Sequence, residues 1–200
     1  MTSWPKLFVD AIGSLQPRMR LAMTADGSRE AWLQTEVMMY AAGHGIDVWT
    51  NCEPVRFGAR SRGSKYDWAA YRGDKPAMVA EVKIMSGAFL PKSLLGRRAN
   101  QWRGYAGRRH PIVISEEEIG RPSPGDWGLF ADAARLLWNR EVPKRYLVLV
   151  LLDMPIDDDV SARVRHRRQN LHSLMGGVTF VRKPVGLRAF RGFMVKVWGF

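Results

Sequence analysis

The sequence predicts an α/β domain built on a mixed β-sheet. Segments with strand-like alternation and segments with helical periodicity follow one another along the chain, as is typical of helices packed on a sheet. Residues 145–152 form a continuous apolar run of strand length, which is expected of a central strand covered on both faces. Residues 65–84 alternate around a polar turn and predict a β-hairpin. A chain of 200 residues is long enough for one domain with a sizeable core.

The amino-terminal part of the chain is predicted to contain two helices and one strand. Residues 5–15 form a short helix in this prediction, and a basic, flexible link follows it. Ser28 is a suitable N-cap for a helix over residues 29–42. Residues 46–52 are predicted to be a strand, and residues 53–64 a loop or an irregular strand.

The hairpin is predicted to place two carboxylates opposite each other. We expect its turn to be centred on Asp74, so that Tyr71 faces Ala77. The same register places Asp67 directly across from Glu81. The Cβ atoms of cross-strand neighbours lie about 5 Å apart, and like charges on such neighbours repel each other. The pair is therefore expected to attract a cation.

The rest of the chain is predicted to alternate between helices and strands. Its helices share a periodic apolar face or an acidic start with a basic end, and its strands are short apolar runs. The predicted helices are 92–107, 126–140 and 156–175, the predicted strands are 111–115, 145–152 and two or three within 178–200 broken at Pro184 and Gly192, and 116–125 is predicted to be a loop.

The composition favours a polyanionic partner. Lysine and arginine number 31 against 19 aspartates and glutamates, which gives a formal net charge of +12. Cys52 is the single cysteine, so an internal disulfide and a thiolate zinc cluster are excluded. The chain begins without a signal-peptide pattern and its longest apolar run is too short to span a bilayer, so we expect a cytoplasmic protein. Its polyanionic partner would be nucleic acid or an anionic membrane surface.

The spacing of acids around the hairpin resembles the signature of the PD-(D/E)XK nuclease superfamily. In that superfamily a helix supplies an acid, one strand an aspartate and the next strand Glu-X-Lys; here these are Glu36, Asp67 and the segment 81–83 (Glu-Val-Lys). Tyr66 stands in place of the proline that gives the motif its name. The resemblance covers about residues 28–152 and implies a restriction-endonuclease-like core, with a further helix and strands in 153–200.

The resemblance also implies how such a site would work. Asp67, Glu81 and the Val82 carbonyl would hold Mg²⁺, for which Mn²⁺ can substitute, and phosphodiester hydrolysis would leave a 5′-phosphate and a 3′-hydroxyl. Lys83 would orient the attacking water, because its charged form is favoured beside two carboxylates. Glu36 would assist from the preceding helix, where Glu30 is a rival for the same role.

A second element of the sequence is similar to the Gln-X-X-X-Tyr motif of RecB-type members of the superfamily, which process DNA ends. Gln101 and Tyr105 are four residues apart and would share one face of a helix. By resemblance they would contact the scissile phosphate or the DNA strand. The neighbouring Arg97, Arg98 and Arg103 would contact the phosphate backbone.

Two alternative functions stay open at this point. A basic, non-catalytic nucleic-acid-binding protein could use a degenerate nuclease fold only to grip its partner. A restriction-type or mobile-element endonuclease, acting as a homodimer or in a larger nuclease complex, would cut within DNA rather than at its ends as an exonuclease does. A protein that docks on anionic membranes would need an amphipathic helix that the sequence lacks.

Overall fold

The computed structural model of this protein describes residues 3–24, 29–53, 65–86, 112–121, 128–152 and 178–200. Both helices and strands occur in these ranges, in the order of three helices, four strands, two helices and four strands. The helices are α1 (Trp4–Ser14), α2 (Gln16–Thr24), α3 (Arg29–Gly43), α4 (Glu116–Ile119) and α5 (Leu129–Trp138). The strands are β1 (Trp49–Cys52), β2 (Tyr66–Arg72), β3 (Lys75–Ser86), β4 (Ile112–Ile114), β5 (Lys144–Leu152), β6 (Val178–Phe180), β7 (Gly186–Phe190) and β8 (Phe193–Gly199).

A six-stranded mixed sheet organises the described part of the chain. Its order is β1-β2-β3-β5-β8-β7, in which β3 and β5 are parallel neighbours and the other adjacent strands are antiparallel. Strands β4 and β6 pair separately as a two-stranded parallel sheet. The predicted α/β class with a mixed sheet is therefore confirmed.

Both faces of the main sheet are covered. Val148 and Val150 of β5 belong to the core that α1 and α3 share with the sheet. Leu147 and Leu149 point the other way, into the core that includes α5. This explains the continuous apolar run of β5, because successive side chains of a strand enter opposite layers. A charged residue on the α5 face of β3 is consequently buried unless the layer is open there.

The core extends beyond residues 28–152 at both ends of the chain. Strand β8 pairs along β5 from Tyr146↔Gly199 to Leu152↔Phe193. At the other end of the chain, α1 buries Leu7, Phe8 and Ile12 in the same core as Val148 and Val150 of β5. The segments outside the predicted core thus complete its sheet and one of its layers.

The hairpin differs from the predicted register near its turn. Trp68 pairs with Ala80 as predicted, but a bulge between Ala70 and Tyr71 shifts the next pairs, so that Tyr71 faces Pro76 rather than Ala77. The turn shortens to two residues, and Gly73 has a φ of 62°, which matches the glycine position of a type II′ hairpin turn. The bulge absorbs the extra residue, so the register at the far end of the hairpin is unchanged.

Two other predictions along the chain were wrong. The basic segment predicted to be a flexible link forms α2, since its Gln, Arg, Met, Leu and Ala residues are good helix formers. The predicted loop 116–125 begins with the short helix α4. The predicted helices 92–107 and 156–175, the N-cap Ser28 and most of the loop 53–64 lie outside the described residues. None of the helices in the described ranges is long and apolar enough to cross a membrane.

Candidate functional site

Asp67 lies where strands β2 and β3 stop pairing through their backbones. The paired residues run from Arg72↔Lys75 to Trp68↔Ala80, and the same register continued by one residue places Asp67 across from Glu81. There the backbone N–H of Val82 donates to Oδ2 of Asp67 at 2.7 Å. A side chain of β2 therefore replaces the ladder hydrogen bond, and the ends of the two strands separate around the carboxylate.

Helix α3 holds Asp67 from the other side. The side-chain N–H of Gln34 donates to Oδ1 of Asp67 at 2.6 Å, and Gln34 itself is 6% exposed. The indole N–H of Trp68 donates to the backbone carbonyl of Gln34 at 3.1 Å, which fixes the helix against the same strand. Both oxygens of Asp67 thus have a hydrogen-bond donor.

Glu81 is buried against helix α5. Its side chain is 2% exposed, and Arg135 donates to Oε1 through Nε at 3.0 Å and Nη2 at 2.8 Å. Both hydrogen bonds reach the same oxygen, so Oε2 is outside this pair. Glu81 and Asp67 also affect each other's ionisation, since Glu81 lowers the pKa of Asp67 through a side-chain hydrogen bond and the charge of Asp67 raises the pKa of Glu81.

Lys83 lies between carboxylates supplied by two helices. Its ammonium nitrogen is 3.3 Å from Oε2 of Glu30 on α3 and 3.2 Å from Oδ2 of Asp132 on α5. Glu30 also accepts the backbone N–H of Ile84 at 3.4 Å, which ties α3 to this end of β3. Asp67 and Glu81 act on the Lys83 ammonium as well, so the structure brings Asp67, Glu81 and Lys83 together.

The glutamate that α3 brings to this cluster is Glu30 and not Glu36. Glu36 pairs instead with Arg18 of α2, whose Nη1 donates to Oε1 of Glu36 at 2.8 Å and whose Nη2 donates to Oε2 at 3.0 Å. Six residues separate the two glutamates, which amounts to about 240° around the helix axis, whereas Glu30 and Gln34 are four residues apart and share a face. The predicted position of Glu36 at the site is therefore wrong, and its rival Glu30 takes that place.

Burial shifts the ionisation of the acidic residues at the site. It raises the pKa of Asp67 to about 6, although the Val82 N–H and Lys83 favour the ionised form. Burial and the nearby Asp132 carboxylate raise the pKa of Glu81 well above its ordinary value, against the effect of Arg135. Burial would lower the pKa of Lys83, but the carboxylates of Asp132 and Glu30 outweigh it and raise that pKa. Lys83 is accordingly a permanent cation at neutral pH.

Two buried oxygens beside these carboxylates accept no hydrogen bond within the described part of the chain. They are Oε1 of Gln34 and Oδ2 of Asp132, the second of which lies 3.2 Å from the Lys83 nitrogen without a hydrogen-bonding geometry. In the ranges that the structure describes, no group of three or more His, Cys, Asp or Glu side chains is arranged to hold a metal ion. Mg²⁺ needs only one or two carboxylates, since water and phosphate complete its shell. The oxygen donors around Asp67 and Glu81 fit that requirement.

Asp132 and Arg135 were not identified from the sequence as site residues. They are the only two charged residues among the ten of α5, and the other eight are apolar. The side chains of Leu129, Ala133 and Leu136 in this helix are buried. An acid and a base three residues apart within such a helix were the available signal, because a charge on a buried face needs a partner there. Five predicted DNA-contacting residues lie outside the described ranges: Arg97, Arg98, Gln101, Arg103 and Tyr105.

Comparisons with known proteins add no relative to this geometry. No family model, no curated protein and no solved structure matches this chain.

Proposed function

We propose that this protein is a metal-dependent DNA nuclease with a restriction-endonuclease-like core, which hydrolyses phosphodiester bonds to a 5′-phosphate and a 3′-hydroxyl. The observation that carries the proposal is the meeting of Asp67, Glu81 and Lys83 at the point where β2 and β3 separate. Two carboxylates and one ammonium, here where the backbone pairing of β2 and β3 ends, are the groups that phosphodiester hydrolysis with magnesium requires.

The charge of the cluster supports a divalent cation. Asp67, Glu81, Glu30 and Asp132 contribute four carboxylates to the cluster, and Lys83 and Arg135 contribute two cations, so these six groups together carry a formal charge of −2 when all of them are ionised. This negative site belongs to a chain whose formal net charge is +12. The basic surroundings favour the approach of a polyanion, and the acidic site favours a cation that bridges the protein and a phosphate.

The backbone of β3 offers a third oxygen next to the two carboxylates. In an extended strand the N–H and C=O of one residue point to the same side. Because the Val82 N–H is directed at Asp67, its carbonyl is directed at the same gap between β2 and β3. Asp67, Glu81 and the Val82 carbonyl would therefore hold Mg²⁺, which when bound would polarise a phosphate oxygen and lower the pKa of water.

The roles of the side chains follow from their charges. Lys83 keeps its proton, so it donates hydrogen bonds to the attacking water or to the phosphate and does not act as a base. The water oxygen forms its bond to phosphorus while the bond from phosphorus to the 3′ oxygen breaks. One proton of the water leaves to solvent or to a carboxylate, and the 3′ oxygen takes up a proton to become the hydroxyl. Glu30 holds Lys83 in place from α3.

Cleavage assays on matched substrates test this proposal. Linear and circular DNA are incubated with the wild-type protein and Mg²⁺, Mn²⁺ or a chelator, beside Glu81→Gln, Lys83→Ala and the exposed control Asp74→Asn. We expect cleavage only when metal is present. The cleavage rate should fall at least about a hundredfold in Glu81→Gln and Lys83→Ala, and the control Asp74→Asn should cut at the wild-type rate. A wild-type protein that cuts nothing with any metal refutes the nuclease function. Site variants that cut normally refute the residue assignment, and cleavage restricted to linear DNA supports end processing.

A second candidate function is favoured by the Arg135 contacts. Arg135 already neutralises Glu81 with two hydrogen bonds, so the cluster could be a closed ion-pair network in a protein that only binds nucleic acid. Such a protein would bind DNA with equal affinity in Mg²⁺ and in chelator at matched ionic strength. The nuclease is expected to bind more tightly when a divalent ion is present, since the ion links the carboxylates to a phosphate.

A further inference from the structure

Helix α5 presents two opposite charges to two opposite charges of β3. Asp132 and Arg135 are three residues apart and lie on one face of the helix, while Glu81 and Lys83 are two apart and lie on one face of the strand. Arg135 pairs with Glu81 at 2.8 Å and Asp132 pairs with Lys83 at 3.2 Å. Every charge therefore faces its opposite, and reversing the helix pair would place like charges together.

The two helix residues are also joined to each other. Nη2 of Arg135 donates to Oδ1 of Asp132 at 2.5 Å, and the Asp132 side chain is 3% exposed. Asp132 therefore holds Arg135 with one oxygen and the Lys83 ammonium with the other. While these contacts stay intact, neither Asp132 nor Arg135 is free to reach DNA.

We propose that Asp132 and Arg135 are positioning residues that fix Glu81 and Lys83 for phosphodiester hydrolysis, an inference that rests on the proposed nuclease function. Stability alone gives a poor reason for these charges, because a buried ion network can often be replaced by apolar side chains with no loss of stability. Orientation gives a better one, since Lys83 is a long, flexible side chain and a misplacement of about 1 Å can cost about a hundredfold in rate. Asp132 and Glu30, from two different helices, hold its ammonium group.

Two conservative variants separate positioning from the other roles that these residues could have. Asp132→Asn keeps the shape of the side chain and removes its charge, and Arg135→Lys keeps the charge and removes the two-nitrogen contact with Glu81. The exposed residues Asp74 and Arg140 provide matched controls, Asp74→Asn and Arg140→Lys. Circular dichroism gives the folded fraction of each protein, so that single-turnover cleavage with Mg²⁺ is compared per folded molecule.

The same proteins are tested for binding without cleavage. Calorimetry measures Ca²⁺ affinity, and fluorescence anisotropy measures DNA affinity in Ca²⁺. We expect both variants to lose at least about tenfold in cleavage rate while both affinities stay within about threefold of wild type and the controls cut normally.

Three results would overturn the inference. If Asp132→Asn and Arg135→Lys cut DNA at rates within about threefold of wild type, Asp132 and Arg135 have only a structural role. A loss of Ca²⁺ affinity beyond about tenfold in Asp132→Asn makes Asp132 a metal ligand instead, and a similar loss of DNA affinity in Arg135→Lys makes Arg135 a phosphate ligand. A wild-type protein that cuts nothing refutes the proposed function and this inference together, whereas active wild type with unaffected variants refutes only the positioning role.

Discussion

Oδ2 of Asp67 accepts the backbone N–H of Val82 at 2.7 Å, so a carboxylate of β2 stands where the strand ladder would otherwise continue. The other oxygen of Asp67 accepts the side-chain N–H of Gln34. Two hydrogen bonds to the ionised form still do not compensate for burial, and the pKa of Asp67 is about 6. The charge of this residue therefore opposes folding at neutral pH.

Asp67 makes the free energy of unfolding depend on pH in a defined direction. Its pKa is about 3.8 in the unfolded chain and about 6 in the native protein, so the native state binds more protons between these values. Stability consequently falls as pH rises through this window, by about 3 kcal/mol for this residue. Asp67→Asn removes that contribution, and urea denaturation in chelator from pH 4 to pH 7 measures the difference between the two proteins.

The substitution suits this measurement because Gln34 can accommodate it. Oε1 of Gln34 accepts no hydrogen bond from the described residues, so a rotated Gln34 amide can accept from the side-chain N–H of the introduced asparagine. We expect the free energy of unfolding of Asp67→Asn, relative to that of wild type, to rise steadily between pH 4 and pH 6. A difference that stays constant across this range would show that Asp67 titrates normally.

Glu30 and Glu36 are expected to behave differently although they belong to one helix. Glu30→Gln removes a carboxylate from Lys83 and is expected to lower the rate of DNA cleavage by about tenfold. Glu36→Gln breaks only the pair with Arg18 and is expected to cost at most about 1 kcal/mol of stability, with a normal rate. Cleavage assays and thermal melts of both variants check this, and a slower Glu36→Gln protein would restore the assignment made from the sequence.

The sequence could predict contacts within the hairpin but not contacts across the fold. Asp67, Glu81 and Lys83 could be placed together because strand alternation and one tight turn determine their spacing. Arg135 is 54 residues from Glu81, and no local pattern determines which face of α5 meets β3. The same limit explains Glu36, since a motif fixes the order of its acids along the chain but not the face of the helix on which each one lies.

The bulge in the hairpin shows a second limit. Alternation specified the register at Trp68 and Ala80 correctly, where burial on both faces constrains it. Near the exposed turn the constraint is weaker, and the glycine conformation at Gly73 decides the loop length instead. A register argument is therefore safest at the buried end of a hairpin, which is the end that carries this site.

A side chain at Gly13 on α1 is expected to displace the ring of Phe190. A Cβ atom there would lie 2.5 Å from the ring of Phe190, which stacks on Phe193 and packs against the core. Gly13→Ala should destabilise the protein by about 1–3 kcal/mol through overpacking, partly offset by the higher helix propensity of alanine. Gly43→Ala is the control, because among the described residues no atom outside its own helix and its chain neighbours lies within 4 Å of its Cβ position, so the change should be neutral or stabilising. Equal melting temperatures for the two variants would contradict this packing.

Divalent metal is expected to stabilise the folded protein even without DNA. A ligand that binds only the native state raises its stability by mass action, so about 10 mM Mg²⁺ with a dissociation constant of about 1 mM contributes about 1.4 kcal/mol. For a chain of this length that corresponds to a rise of about 3–6 °C in Tm. The rise should be larger at pH 7 than at pH 5, because the pKa of Asp67 is about 6 and its carboxyl group must lose its proton to bind metal. Glu81→Gln should abolish the shift, and Asp74→Asn should retain it. A shift of equal size in all three proteins would place the metal elsewhere on the molecule.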